Sequence, residues 1–183
     1  MPTTSAPVSR AGWPVTGADT VALTQDIVAT YRGPGRVVKR LLEKGRSEPF
    51  ALSIAMAGCV VAFVAQWPKI SRDAYLNGGE SEGALSYYSA FLGLIFVTPV
   101  ILYALAAVSH LVARLLGGKG SGYGARMAIF WAFLASSPLA LFYGMVAGFI
   151  GTGQQESIAQ FLWFAVFVWF WIAGLRQAEW GMK

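Results

Sequence analysis

The apolar part of this chain offers one histidine, one cysteine and a few hydroxyls as its reactive side chains. His110 and Arg114 lie one helical turn apart and share a face, a pairing that can relay a proton or hold a lipid phosphate. The simpler alternative is an interfacial histidine hydrogen-bonded to its neighbours. As a general base His110 would need a carboxylate to orient it, and none stands near it in the sequence, so an intramembrane enzyme acting on lipid has the least support and no catalytic residue is predicted. Cys59 lies inside an apolar run and reads as a buried packing residue. One histidine and one cysteine cannot assemble a zinc ligand set, and the haem-attachment pattern is missing. The expectation is therefore no metal and no cofactor.

Three cations, Arg114, Lys119 and Arg126, bracket the run Gly117-Gly118-Lys119-Gly120-Ser121-Gly122. This resembles a phosphate cradle, but it lacks the G-x-x-x-x-G-K-[ST] spacing and no strand precedes it. It reads as a flexible turn between helices, with a lipid headgroup as its alternative ligand. Two hydroxyl–proline clusters, Thr98-Pro99 and Ser136-Ser137-Pro138, lie at mid-depth in apolar runs. Each proline frees a backbone carbonyl and predicts a kink, with the adjacent hydroxyls re-satisfying the freed groups. Such kinks either shape a bundle or border a ligand site. Gly144 and Gly148 form a small-xxx-small pair that allows close backbone approach to a neighbour.

The elements that carry these residues are four apolar stretches, at about 50–67, 88–112, 125–151 and 158–175, free of acidic residues and lysine. A helix rising about 1.5 Å per residue needs roughly 18–20 residues to cross a hydrocarbon core of about 30 Å, and each stretch is long enough. The hydrophobic fraction of 56% and mean hydropathy of +0.54 agree. Continuous runs, in place of alternating ten-residue ones, favour helices over a barrel. The polar, proline-containing first 20 residues carry no secretory signal, so the first apolar helix is expected to direct insertion. Residues 47–183 thus predict an all-α, four-helix transmembrane bundle. Twelve lysines and arginines fall on one face of it, against Lys69 and Arg72 on the other. The positive-inside rule then puts both termini in the cytoplasm. Net charge +5 is explained by topology and lipid contact, leaving no role for nucleic acid. Trp67, Tyr75, Tyr87 and Tyr88 mark the outer boundary, and Phe50, Tyr123 and Trp180 the inner one. The many rings of the last stretch, from Phe161 to Trp171, face lipid and neighbouring helices.

Ahead of the bundle, residues 1–19 predict a disordered tail and 20–46 a basic amphipathic cytoplasmic segment. Pro34 can open a helix and Gly45 close it, with Val37, Val38, Leu41 and Leu42 on one side and Arg36, Lys39, Arg40 and Lys44 on the other. Leu23, Ile27, Val28 and Tyr31 form a similar stripe upstream. Such a segment lies in the headgroup region or packs on the ends of the bundle, and the two are compatible. The lipid-surface residues expected from charge are Arg36, Lys39, Arg40, Lys44, Arg114, Lys119 and Arg126.

The run Leu116-Gly117-Gly118-Lys119-Gly120-Ser121-Gly122, Ala125-Arg126, Phe130-Trp131-Ala132, Pro138-Leu139 and Gly144…Gly148, with Pro34…Val38…Leu41-Leu42 upstream, resembles the bacterial branch of the Yip family. The resemblance covers about half the chain and rests on helix-packing residues. It implies a small multipass protein of the bacterial inner membrane, whose eukaryotic relatives interact with Rab GTPases and shape transport vesicles. The family typically has five membrane helices where hydropathy here gives four, and bacteria lack the Rab system, so that partner role does not carry over. The expected function is non-enzymatic: an accessory subunit, adaptor or membrane organiser touching anionic headgroups and another integral membrane protein or a second copy of itself. The alternative is a small oligomeric transporter or channel with a pathway bordered by Pro99 and Pro138.

Overall fold

A computed structural model describes residues 17–43, 47–77, 80–181. Among these the secondary structure is helical: α1 Gly17–Arg32, α2 Pro34–Glu43, α3 Glu48–Asn77, α4 Glu80–Leu92, a π-turn Gly93–Val97, α5 Thr98–Leu115, α6 Gly122–Ala135, α7 Ser137–Phe149 and α8 Gln154–Trp180. Three helical runs are long and apolar enough to cross a membrane: Glu48–Leu76, Gly83–Leu115 and Gln154–Trp180. The bent pair α6–α7 makes a fourth if it is taken as one span. Residues 1–16, which cover most of the expected disordered tail, and 44–46, which include Lys44 and Gly45, lie outside the described residues; Gly17 onward is already helix.

The two hydroxyl–proline clusters behave differently. At Thr98-Pro99 the chain stays one helical run, because the register change is absorbed by the π-turn. There the Thr98 backbone N–H donates to the Gly93 carbonyl, and the Thr98 hydroxyl donates to the same oxygen at 3.1 Å. At Pro138 the helix breaks. The Ser136 hydroxyl donates to the Phe133 carbonyl at 3.0 Å, α7 restarts with proline in its first turn, and the axes differ by 42°. A third proline, Pro68, lies within α3, which runs well past the expected end of the first span. With α4 it forms a helical hairpin, tied by the Ser71 and Tyr87 hydroxyls at 2.7 Å and by edge contacts of Trp67 on Tyr87 and Phe63 on Phe91. Much of the segment between the first two predicted spans is therefore helix.

The centre of the molecule is α6. From Tyr123 to Ala135 every residue except Arg126 is buried, including Phe130, Trp131 and Phe133. It is enclosed by α3, α5 and α8, with α1 and α2 also packed against it. Helix α7 lies mainly on α3, and the glycine pair makes that possible. A Cβ on Gly144 would strike the Ala65 carbonyl, and one on Gly148 would strike Pro68. The neighbour served by the small-xxx-small pair is thus a helix of the same chain.

The apolar stripe of α2 is directed into protein. Val37, Val38 and Leu41 are buried among residues of the core, with α2 against α8 and α6. In α1, Leu23 and Ile27 face the core, whereas Val28 is 62% exposed. Thr30 is buried and accepts a hydrogen bond from the Trp131 indole at 3.0 Å, and Tyr31 sets its ring edge against Phe170. Trp131 lies nine residues beyond Gly122 in α6, a rise of about 13 Å. The end of α1 therefore packs against the side of α6 well beyond its first turn.

Candidate functional site

The ends of α5 and α8 meet the start of α6 at the cation-rich end of the bundle. Glu179, in the last turn of α8, has a side chain with 0% exposure. One carboxylate oxygen accepts from His110 Nδ1 at 2.6 Å and the other from the Gly120 amide at 3.0 Å. The loop is folded tightly over it: the Gly118 amide donates to the Ala113 carbonyl at 2.8 Å, and the Lys119 amide to the Glu179 carbonyl at 3.0 Å. Gly117 has φ of +84°, a conformation that favours glycine. A Cβ on Gly120 would strike the Ala178 carbonyl. The expectation of a flexible turn is thus corrected: the glycines let backbone close around a buried carboxylate. The assumption that His110 lacks an orienting carboxylate is corrected too, since Glu179 reaches it from 69 residues away in the chain.

With Nδ1 held by Glu179, His110 presents Nε2 toward Gly122, the first residue of α6. Both border a cleft of about 470 Å³, lined also by Tyr103, Ala106, Leu111, Arg114 and Arg126. Its electrostatics favour an anion. The Arg114 side chain is exposed and makes no hydrogen bond or ion pair among the described residues. Arg126 pairs through one terminal nitrogen with Glu48, while its Nε is buried without a partner. The N-terminus of α6, capped by the Ser121 hydroxyl accepting from the Gly124 amide at 3.3 Å, adds its partial positive charge. The opposite wall is the apolar face of α5.

Of the charge-selected residues, the structure brings Arg114 and Arg126 together with His110. Lys119 is exposed on the loop above, its backbone serving Glu179. Arg36, Lys39 and Arg40 lie apart, on the exposed side of α2. There Arg40 pairs with Asp26 at 3.1 Å, Lys39 with Glu43 at 3.9 Å, and Arg36 donates to the Arg32 carbonyl at 3.2 Å. Together with Arg32 and Val28, Arg36 and Arg40 border an open groove between α1 and α2. Pro99 is buried and Pro138 exposed. At the far end both cations are used internally: Lys69 pairs with Glu156 at 2.9 Å, and Arg72 donates to the carbonyls of Gly148 and Phe149. Sequence reasoning missed Glu179, Thr30 and Asp26. The available signal for Glu179 was an acidic residue in the last turn of a membrane helix at an otherwise basic end.

Among the described residues no three histidine, cysteine, aspartate or glutamate side chains gather as a metal site. No protein-family model, curated protein or solved structure matches the chain.

Proposed function

We propose that this chain is a non-enzymatic integral membrane protein, an organiser or accessory subunit that acts through its basic end on the anionic headgroups of the bilayer. Kinship with the bacterial branch of the Yip family, an inner-membrane location and cytoplasmic termini belong to the same proposal. The observation that carries it is the seating of the α1–α2 arm. Thr30 on Trp131, with Val37, Val38 and Leu41 in the core, holds the arm against the bundle. The exposed Arg36 and Lys39 are thereby held in a fixed position on the arm, and each cation near an anionic surface would contribute about 1 kcal/mol. A pre-set arm loses little conformational freedom on meeting the surface.

The reading as a transporter or channel has less support. Pro99 is buried and Pro138 exposed, and the middle of the bundle is filled by α6. A pathway would have to form between copies.

Native mass spectrometry of the detergent-purified full chain tests the proposal. Anionic phospholipid should be retained over zwitterionic lipid beyond its share in the source membrane, and Arg36→Gln with Lys39→Gln should lower that enrichment about threefold or more. Retention in proportion to membrane composition, or enrichment untouched by the double variant, would overturn it.

A further inference from the structure

The basic arm is a diffuse surface, whereas the cleft beside His110 has the parts of a defined site. We infer that this cleft binds the phosphate of an anionic phospholipid, with the glycerol and the start of the acyl chains along α5. The inference rests on the reading that the basic end meets headgroups, and it names the place where one headgroup is held.

Four features converge on one anion. The Arg114 guanidinium has no partner among the described residues. The Arg126 guanidinium is steered by Glu48 but keeps a buried, unpartnered Nε. Guanidinium forks match phosphate oxygens in shape as well as in charge. The ring of His110 is fixed by a carboxylate with no exposed surface, so its Nε2 is aimed before any ligand arrives. Gly122 opens α6 at the cleft, where the helix N-terminus favours an anion and the missing side chain leaves room for one. Protonated, the imidazole neutralises Glu179 and offers Nε2–H to a phosphate oxygen. Neutral, it keeps Nδ1–H on Glu179 and offers a lone pair to a headgroup hydroxyl. In both forms Nε2 is the atom that meets the ligand.

The remaining wall points to a lipid as the source of the phosphate. Tyr103, Ala106, Ala107 and Leu111 line the cleft along α5, and Leu111 is 62% exposed. An inorganic ion would leave that wall empty, whereas an amphiphile covers it and meets the cations at one end.

The experiment is thermal unfolding of the detergent-purified full chain, titrated separately with short-chain phosphatidic acid, phosphatidylglycerol, phosphatidylcholine and inorganic phosphate. The two anionic lipids should raise the midpoint at concentrations where phosphatidylcholine and phosphate do not. Arg114→Gln and His110→Gln should each raise the half-saturating lipid concentration about tenfold, as expected for one charge-assisted hydrogen bond. Arg176→Gln, an exposed cation on α8 outside the cleft, should leave it unchanged. Because the Arg114 guanidinium has no partner among the described residues, its variant tests the site even if His110→Gln folds poorly. Equal stabilisation by inorganic phosphate would overturn the lipid assignment. Unchanged titrations for both cleft variants, with anionic lipid still enriched in native spectra, would overturn the site and leave the proposed function standing. Loss of all preference for anionic lipid would overturn both.

Discussion

An ionised carboxyl group with no exposed surface needs hydrogen bonds and an opposite charge, because burying it alone is far more unfavourable than any single contact can offset. Glu179 has both, from the Gly120 amide and from His110 when the ring is protonated. That requirement explains the composition of the loop better than flexibility does, since side chains at positions 118 and 120 would crowd the carboxylate. A second buried polar contact governs the arm. Trp131 is fully enclosed, and its indole N–H has Thr30 Oγ1 as its acceptor. Thr30→Val keeps the shape and removes the acceptor, leaving a buried donor unpaired at about 1–2 kcal/mol. We expect this variant to lower the unfolding midpoint in detergent and to speed protease cleavage near Gly33, with Thr30→Ser close to the parent. Equal midpoints and cleavage rates for Thr30→Val and the parent would mean that the hydrogen bond does not hold the arm.

At the scale of elements, α3 and α7 approach through backbone contact, so the cost of a side chain there falls on two helices together. A methyl group at Gly144 meets the Ala65 carbonyl, which cannot rotate away as a side chain can. Gly144→Ala should therefore destabilise by about 1–3 kcal/mol, the usual range for overpacking. Gly93→Ala, where an added Cβ meets nothing within 4 Å, should be neutral or mildly stabilising. Detergent thermal melts of the two variants check this, and equal midpoints would show that α7 can slide on α3. The same helices mark what was legible in the sequence. The apolar runs located the three helices long enough to span and the bent α6–α7 pair, the glycine pair announced a close approach, and the valine–leucine stripe announced the arm. Which helix lies at the centre was not legible, because a membrane helix is apolar all round whether it faces lipid or protein; α6 and α7 are both apolar, yet α6 is buried almost throughout and α7 only along one face. The site was half legible. His110, Arg114 and Arg126 stood out by type, but their pairing with Glu179 depends on α5 and α8 being neighbours, which no local pattern encodes.

For the whole molecule, charge is distributed by end and by availability. At the basic end Arg36, Lys39, Arg114, Lys119 and Arg176 are exposed, whereas at the opposite end Lys69 and Arg72 are engaged in holding helices α3, α7 and α8 together. An internal ion pair contributes little to orientation at an anionic surface, so the asymmetry of available charge exceeds the asymmetry of residue counts. The positive-inside rule then predicts that the cation-rich face stays on the cytoplasmic side. Single cysteines can read it directly. In a Cys59→Ala background, which removes a buried thiol, Tyr75→Cys replaces a side chain 90% exposed on the α3–α4 hairpin, and Lys119→Cys samples the loop over Glu179. A membrane-impermeant maleimide added to intact cells with a permeable outer layer should modify Cys at 75 at once, and at 119 only after the inner membrane is opened. Labelling in the opposite order would put the basic end outside, where the anionic cytoplasmic leaflet could not be the surface it meets, and the headgroup cleft would then have to serve the other leaflet.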